Sequence, residues 1–171
     1  MRKRLTTQRM AALVSALLLT LVMAVPATAG GNGATQVAGT GFPAGDGECE
    51  GRPSDYAIVM TGDLEGCVYG VIIEKGTQGP GPSGVYKERA DETFVGSYMG
   101  LEGTFRMKEN FHARFDLASG NEIFGFCKHP IVRGSGTEDF AGVRGRLDFR
   151  DEVDDPDNVS FPYKGHLKIL A

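Results

Sequence analysis

Residues 101–117 read LEGTFRMKENFHARFDL. The odd positions carry Leu101, Gly103, Phe105, Met107, Phe111, Ala113, Phe115 and Leu117, with Glu109 as the sole polar interruption. The even positions carry Glu102, Thr104, Arg106, Lys108, Asn110, His112, Arg114 and Asp116. A period of two held over this length is that of a β-strand with one dry and one wet face. The same alternation returns at Val143–Arg150 and at Phe161–Ile169. Strands are expected near 55–61, 64–75, 84–96, 102–117, 122–132, 142–150 and 161–170, separated by glycine, aspartate and asparagine turns. A meander of this kind leaves two open edges unless it closes, and a strand as long as 102–117 at an edge would template aggregation. The chain therefore reads as all-β, a closed antiparallel β-barrel of about eight strands. A two-sheet β-sandwich is the alternative, since alternation does not separate one curved sheet from two packed ones.

At the N-terminus Arg2, Lys3, Arg4 and Arg9 precede an apolar run from Met10 to Val25 and then Pro26-Ala27-Thr28-Ala29. That order is the pattern of a secretory signal peptide, residues 1–29, cleaved after Ala29, and the run falls short of the ~20 apolar residues of a membrane span. The expected location is extracellular, with no membrane attachment after cleavage. Cleavage leaves 14 basic against 22 acidic residues, a net charge of −8. So acidic a chain has no general basic field with which to hold nucleic acid or an anionic membrane. Residues 30–48 are rich in glycine with only Val37 and Phe42 as sizeable apolar side chains, and read as a flexible leader to a single barrel domain at 49–171. The stretches 76–84 (GTQGPGPSG) and 151–160 (DEVDDPDNVS) read as loops. The second is acidic but lacks the ligand order of an EF-hand, so a solvated loop is expected there and not a calcium site.

Cys49, Cys67 and Cys127 all survive cleavage. In an oxidising compartment one disulfide and one leftover thiol follow, and the mobile approach to the first strand points to a bridge from Cys49 to either Cys67 or Cys127. The leftover thiol reads as a buried, inert residue. No paired Cys/His spacing indicates a metal, and no glycine-rich loop indicates a cofactor, so neither is expected. His129, beside Pro130 at a strand end, suggests an edge or bulge position and is the residue to inspect next to a cysteine, while His112 and His166 fall on outward phases. In GVYKERADETFVG, Tyr86, Glu88, Glu92 and Phe94 share one face, so both glutamates point inward if the aromatic residues do. Glu88, Glu92 and Glu109 are thus the catalytic candidates, carboxyls whose burial would raise their pKa into a useful range. Tyr69, Tyr86, Tyr163, Phe124 and Phe126 are the expected ligand-binding side chains of an otherwise apolar interior.

Residues 131–145 read IVRGSGTEDFAGVRG, and with GVYKERADETFVG, LEGTF and GFCKHPIV they resemble the allene oxide cyclase and dirigent-like barrel superfamily, in particular a secreted bacterial branch of it. The resemblance is carried by Ile131, Val132, Gly134, Ser135, Gly136, Phe140 and Gly145. Thr137-Glu138-Asp139 are additional to the commoner pattern and lengthen that turn. The resemblance implies an eight-stranded antiparallel barrel, often a homo-oligomer, with Phe140 capping one end. It also implies relatives that isomerise oxidised fatty acids or guide radical coupling without a cofactor. Two functions follow: a secreted module, binding or structural, for an apolar small molecule or partner, and a cofactor-free isomerase or coupling guide using lumen carboxylates.

Overall fold

A computed structural model describes residues 33–76, 81–153 and 158–169. Its strands are β1 (Thr35–Pro43), β2 (Tyr56–Gly62), β3 (Leu64–Lys75), β4 (Val85–Tyr98), β5 (Leu101–Lys108), β6 (Asn110–Phe115), β7 (Glu122–Pro130), β8 (Arg144–Arg150) and β9 (Phe161–Lys168). Neighbours pair antiparallel in the order β3-β2-β1-β9-β8-β7-β6-β4, and β4 returns to β3 to close the ring. The protein is an all-β, eight-stranded closed antiparallel barrel with one extra strand, β5. A single 3-10 turn, Glu138–Phe140, is the only helical element among the described residues.

The stretch 101–115 behaves as its alternation predicts. Its register with β4 runs without slip from Tyr98↔Leu101 through Asp91↔Lys108 to Glu88↔Phe111. At the junction of β5 and β6 the Glu109 N–H donates to the Ala90 carbonyl at 2.8 Å. The hairpin from β4 to β5 turns on Met99 and Gly100, with φ of 51° and 82°. Two positive φ values in a two-residue loop match the twist of the flanking strands, and glycine supplies one of them without a steric cost.

The segment expected as a flexible leader is instead a stave of the barrel. Strand β1 lies between β2 and β9, paired to both, from Thr35↔Leu167 to Pro43↔Ile58, with Val37 buried in the core. Side-chain burial underestimates such a segment, because its stabilisation comes from backbone ladders on both sides. The domain consequently begins at β1, and residues 44–54 cross the outside of β3. The other expected strands are present, with ends shifted by a few residues. The proposed signal peptide 1–29, part of the 76–84 loop (77–80) and part of the acidic loop (154–157) lie outside the described residues.

The outer edge of β5 is closed by the turn at residues 135–140. The N–H groups of Glu102, Thr104 and Arg106 donate to the side chains of Asp139, Thr137 and Ser135 at 3.0, 3.1 and 2.9 Å. From the same turn Phe140, fully buried, drops onto Phe105 and Phe94, its ring centroid 5.5 and 6.1 Å from theirs. Together with Leu64, Val68, Val143, Leu147 and Leu167 these rings fill one half of the barrel.

Phe124 and Phe126, expected inside, occupy the outward phase of β7, because the inward positions there are Gly125, Cys127 and His129. They stand on the outer wall beneath Arg150 and Lys128, with cation-to-ring distances of 5.5 and 5.6 Å. The outer surface also exposes Arg106, Lys108, Arg114 and Arg144. Among the described residues no helix is long and apolar enough to cross a membrane.

Two outcomes check this architecture. Deleting residues 30–43 removes a stave and is expected to abolish the cooperative thermal transition seen by circular dichroism, whereas a true leader would leave it unchanged. Phe105→Ala is expected to cost ~3–5 kcal/mol in urea denaturation and Phe124→Ala less than about 1, reflecting their opposite faces.

Candidate functional site

The second half of the barrel is not filled. A partly open cavity of about 240 Å³ is lined by Tyr56, Ile58, Glu88, Glu92, Glu109, Phe111, Cys127, His129, Phe149, Asp151 and Phe161, with Pro43 and Ala57 at its border. Strand alternation delivers these side chains: every second residue of β2, β4, β6, β7 and β8 points inward.

The polar wall is built across three strands. Tyr56 on β2 is opposite Gly70 on β3, which is opposite Glu92 on β4. A Cβ on Gly70 would lie 2.0 Å from the Tyr56 ring, so glycine is what lets that ring lie over β3. Having crossed, the Tyr56 hydroxyl donates to Glu92 Oε1 at 2.9 Å. The other carboxylate oxygen, Oε2, is 3.2 Å from His129 Nε2, an ion-pair distance without hydrogen-bond alignment. Glu92 and His129 are 2% and 3% exposed. His129 Nδ1 has no partner, and the ring packs edge-on against Phe149 at 4.5 Å. Beside this chain the Cys127 thiol donates to Glu109 Oε1 at 3.3 Å, while Glu109 Oε2, also buried, has no partner.

One imidazole faces several carboxyls, and the site holds protons accordingly. Burial, reinforced by the charge of Glu92, raises Glu109 to about 7. Burial, then the charges of Glu109 and Glu92, pushes the Cys127 thiol far up, so it is a thiol and not a thiolate. Burial and Glu92 do the same to the Tyr56 hydroxyl. For His129 burial by itself lowers the pKa, but Glu92, with Glu109 and Asp148 behind it, reverses this and the net shift is upward. At the rim Glu122 and Asp151 bring their carboxyls together over Gly125. Burial, then the charge of Asp151, raises Glu122 to about 7, and burial raises Asp151 as well.

Glu88, Glu92 and Glu109 all point inward, as their phase implies, and all line the cavity. Glu88 is hydrogen-bonded to the Tyr86 hydroxyl, and Tyr86 packs edge-on against Phe111 and Phe115 rather than lining the cavity. Tyr163 is buried but committed to the backbone: its hydroxyl accepts from the Leu64 N–H at 2.9 Å. Tyr69 faces outward, beneath the 49–52 segment, with its hydroxyl 3.4 Å from the Glu50 carbonyl and Arg52 over its ring. Of the five expected ligand-binding residues, then, none lines the cavity: Tyr69, Phe124 and Phe126 lie on the outside, and Tyr86 and Tyr163 are engaged elsewhere. The bridge from Cys49 is to Cys67, and Cys127 is the free, buried cysteine.

Sequence reasoning missed Tyr56, Cys127, His129 and Asp151 as neighbours of the glutamates. The signal for two of them was present, since Cys127 and His129 alternate with the exposed Lys128 and Pro130. His129 is at neither an edge nor a bulge. It is opposite Leu147 of β8, and on the other side β7 keeps step with the 101–115 run from Asn110↔Lys128 to Met107↔Ile131. Tyr56 needed the glycine opposite it, which only the register reveals. His112 is exposed and His166 half-buried on the outward phase, as expected.

Comparison of the chain with models of protein families, with curated proteins and with solved structures found no match.

The rim pair has a pH signature. Glu122 and Asp151 bind protons more tightly in the folded barrel than in the unfolded chain, so their contribution is full below their ordinary carboxyl range and, for Glu122, is lost as pH rises through about 7. The melting temperature is expected to fall over this window, and Glu122→Gln to flatten the fall. A melting temperature constant or rising across the window in the wild type would contradict the pair's protonation.

Proposed function

We propose that this protein is an exported barrel that binds a compact, largely apolar small molecule through one polar end. The observation that carries this reading is the half-filled interior: a cavity walled by Ile58, Phe111, Phe149 and Phe161 that ends on the buried polar groups of Tyr56, Glu92, Glu109 and His129. Such a combination of apolar lining with a few convergent polar groups is that of small-molecule sites, and a volume of about 240 Å³ lies below the ~300–1,000 Å³ range of drug-sized ones. Export is supported by the N-terminal pattern ending at Ala29 and by the Cys49–Cys67 bridge, a bond that persists in oxidising compartments.

The resemblance to allene oxide cyclase and dirigent-like barrels supports a second reading, a cofactor-free isomerase or coupling guide reacting through Glu88, Glu92 or Glu109. What favours the binding reading is that two of these carboxylates are already held, Glu88 by Tyr86 and Glu92 by Tyr56.

The neutral apolar fluorophore N-phenyl-1-naphthylamine tests the binding site. Saturable fluorescence enhancement at one molecule per barrel is expected. Ile58→Trp, which fills the cavity, is expected to weaken it at least about tenfold with an unchanged circular dichroism spectrum. An absence of saturable binding, or equal binding by the filled variant, would remove the basis for the proposal. Native mass spectrometry of protein recovered from its host's culture medium would then name the natural ligand.

A further inference from the structure

Cys127 and His129 are two apart on β7 and both point inward, and Glu109 projects from the neighbouring strand run. One ligating atom from each, a carboxylate oxygen, a thiol sulfur and an imidazole nitrogen, lie within 4.8 Å of one another. All three side chains are more than nine-tenths buried, at 8%, 4% and 3% exposure for Glu109, Cys127 and His129. We propose that Glu109, Cys127 and His129 form a binding site for a divalent transition metal of the zinc type, with its remaining coordination position facing the cavity. This goes beyond the small-molecule reading and does not depend on it.

Four observations converge. Oxygen, nitrogen and sulfur donors in one set select a borderline or soft cation, whereas calcium and magnesium take oxygen ligands. Alternate residues of one strand plus one from its neighbour place ligands on a single face at a spacing a small ion can bridge by modest side-chain rotation. Two of the donor groups keep an unused atom: Glu109 Oε2 and His129 Nδ1 are buried without a partner. The support around the histidine is also that of a metal ligand, because Nε2 faces Glu92 at 3.2 Å and Glu92 is in turn held by the Tyr56 hydroxyl. That arrangement leaves Nδ1 as the coordinating nitrogen and a carboxylate behind it to orient the ring.

The charge of the site agrees. Glu92 and Glu109, with Glu88 and Asp151 on the cavity wall, face one imidazole and no lysine or arginine among the lining residues. An entering ion forms bonds to the Cys127 sulfur, a Glu109 oxygen and His129 Nδ1. It displaces to the buffer the thiol proton and any proton then held by Glu109 or Nδ1, with no change of oxidation state.

The test is titration of the full-length mature protein, disulfide intact and stripped of metal by a chelator, with cobalt(II). A 1:1 endpoint is expected, with thiolate-to-cobalt charge-transfer absorption in the near ultraviolet, visible bands of four-coordinate intensity, and proton release into weak buffer. Zinc should displace the cobalt. Cys127 is the free cysteine, so Cys127→Ser should abolish the charge-transfer band, and Glu92→Gln should keep the band while weakening affinity roughly 10–100-fold. Absence of the band in the wild type at equimolar cobalt overturns the proposal whether or not any variant folds, and so does a band that survives Cys127→Ser. Neither outcome touches the fluorophore experiment, which contains no metal.

Discussion

A β-sheet stands in water only if its edges are dealt with, and this barrel depends on how each edge is paired. Strand β1 supplies the stave between β2 and β9, and β4 returns to β3. The overhanging β5 cannot reach another full strand, so its N–H groups are taken by the side chains of Ser135, Thr137 and Asp139. Without these partners a long, alternating strand would be an open template for a second chain. The turn at residues 135–140 therefore has a local physical task, and Thr137 and Asp139 take part in it.

Closure also determines the site. In a closed cylinder half of every strand must point inward, whatever those residues are. One half of the lumen meets this with interlocking rings and aliphatic side chains around Phe94, Phe105 and Phe140. In the other half the same alternation carries Glu92, Glu109 and His129 out of bulk water and Glu88 part of the way. Buried ionisable groups are tolerable when they satisfy one another, and here the Tyr56–Glu92 and Cys127–Glu109 hydrogen bonds and the Glu92–His129 contact supply part of that satisfaction, leaving Glu92 Oε2, Glu109 Oε2 and His129 Nδ1 without a hydrogen-bond partner. Burial first, and then the net negative charge of the site, shift thiol, phenol and carboxyl towards keeping a proton, while for the imidazole the carboxylates outweigh a burial that acts the other way.

The outer surface follows a different logic. Residues 44–54, anchored through Cys49–Cys67 and packed over Tyr69, shield part of β3 from solvent. Phe124 and Phe126 lie under cationic side chains, a common way for an amphipathic pair to cover exposed ring surface.

The sequence by itself determined the strand character of 101–115, the inward phase of Glu88, Glu92 and Glu109, and a disulfide that includes Cys49. These are local properties, set by the two-residue period of a strand and by cysteine number. Tertiary structure alone decided that the glycine-rich 35–43 segment is a stave, because its stability resides in backbone pairing with strands far away in sequence. It alone decided that Tyr56 reaches Glu92 over Gly70 and that Glu109, Cys127 and His129 meet, because contacts across strands depend on register, and register emerges only when the sheet closes.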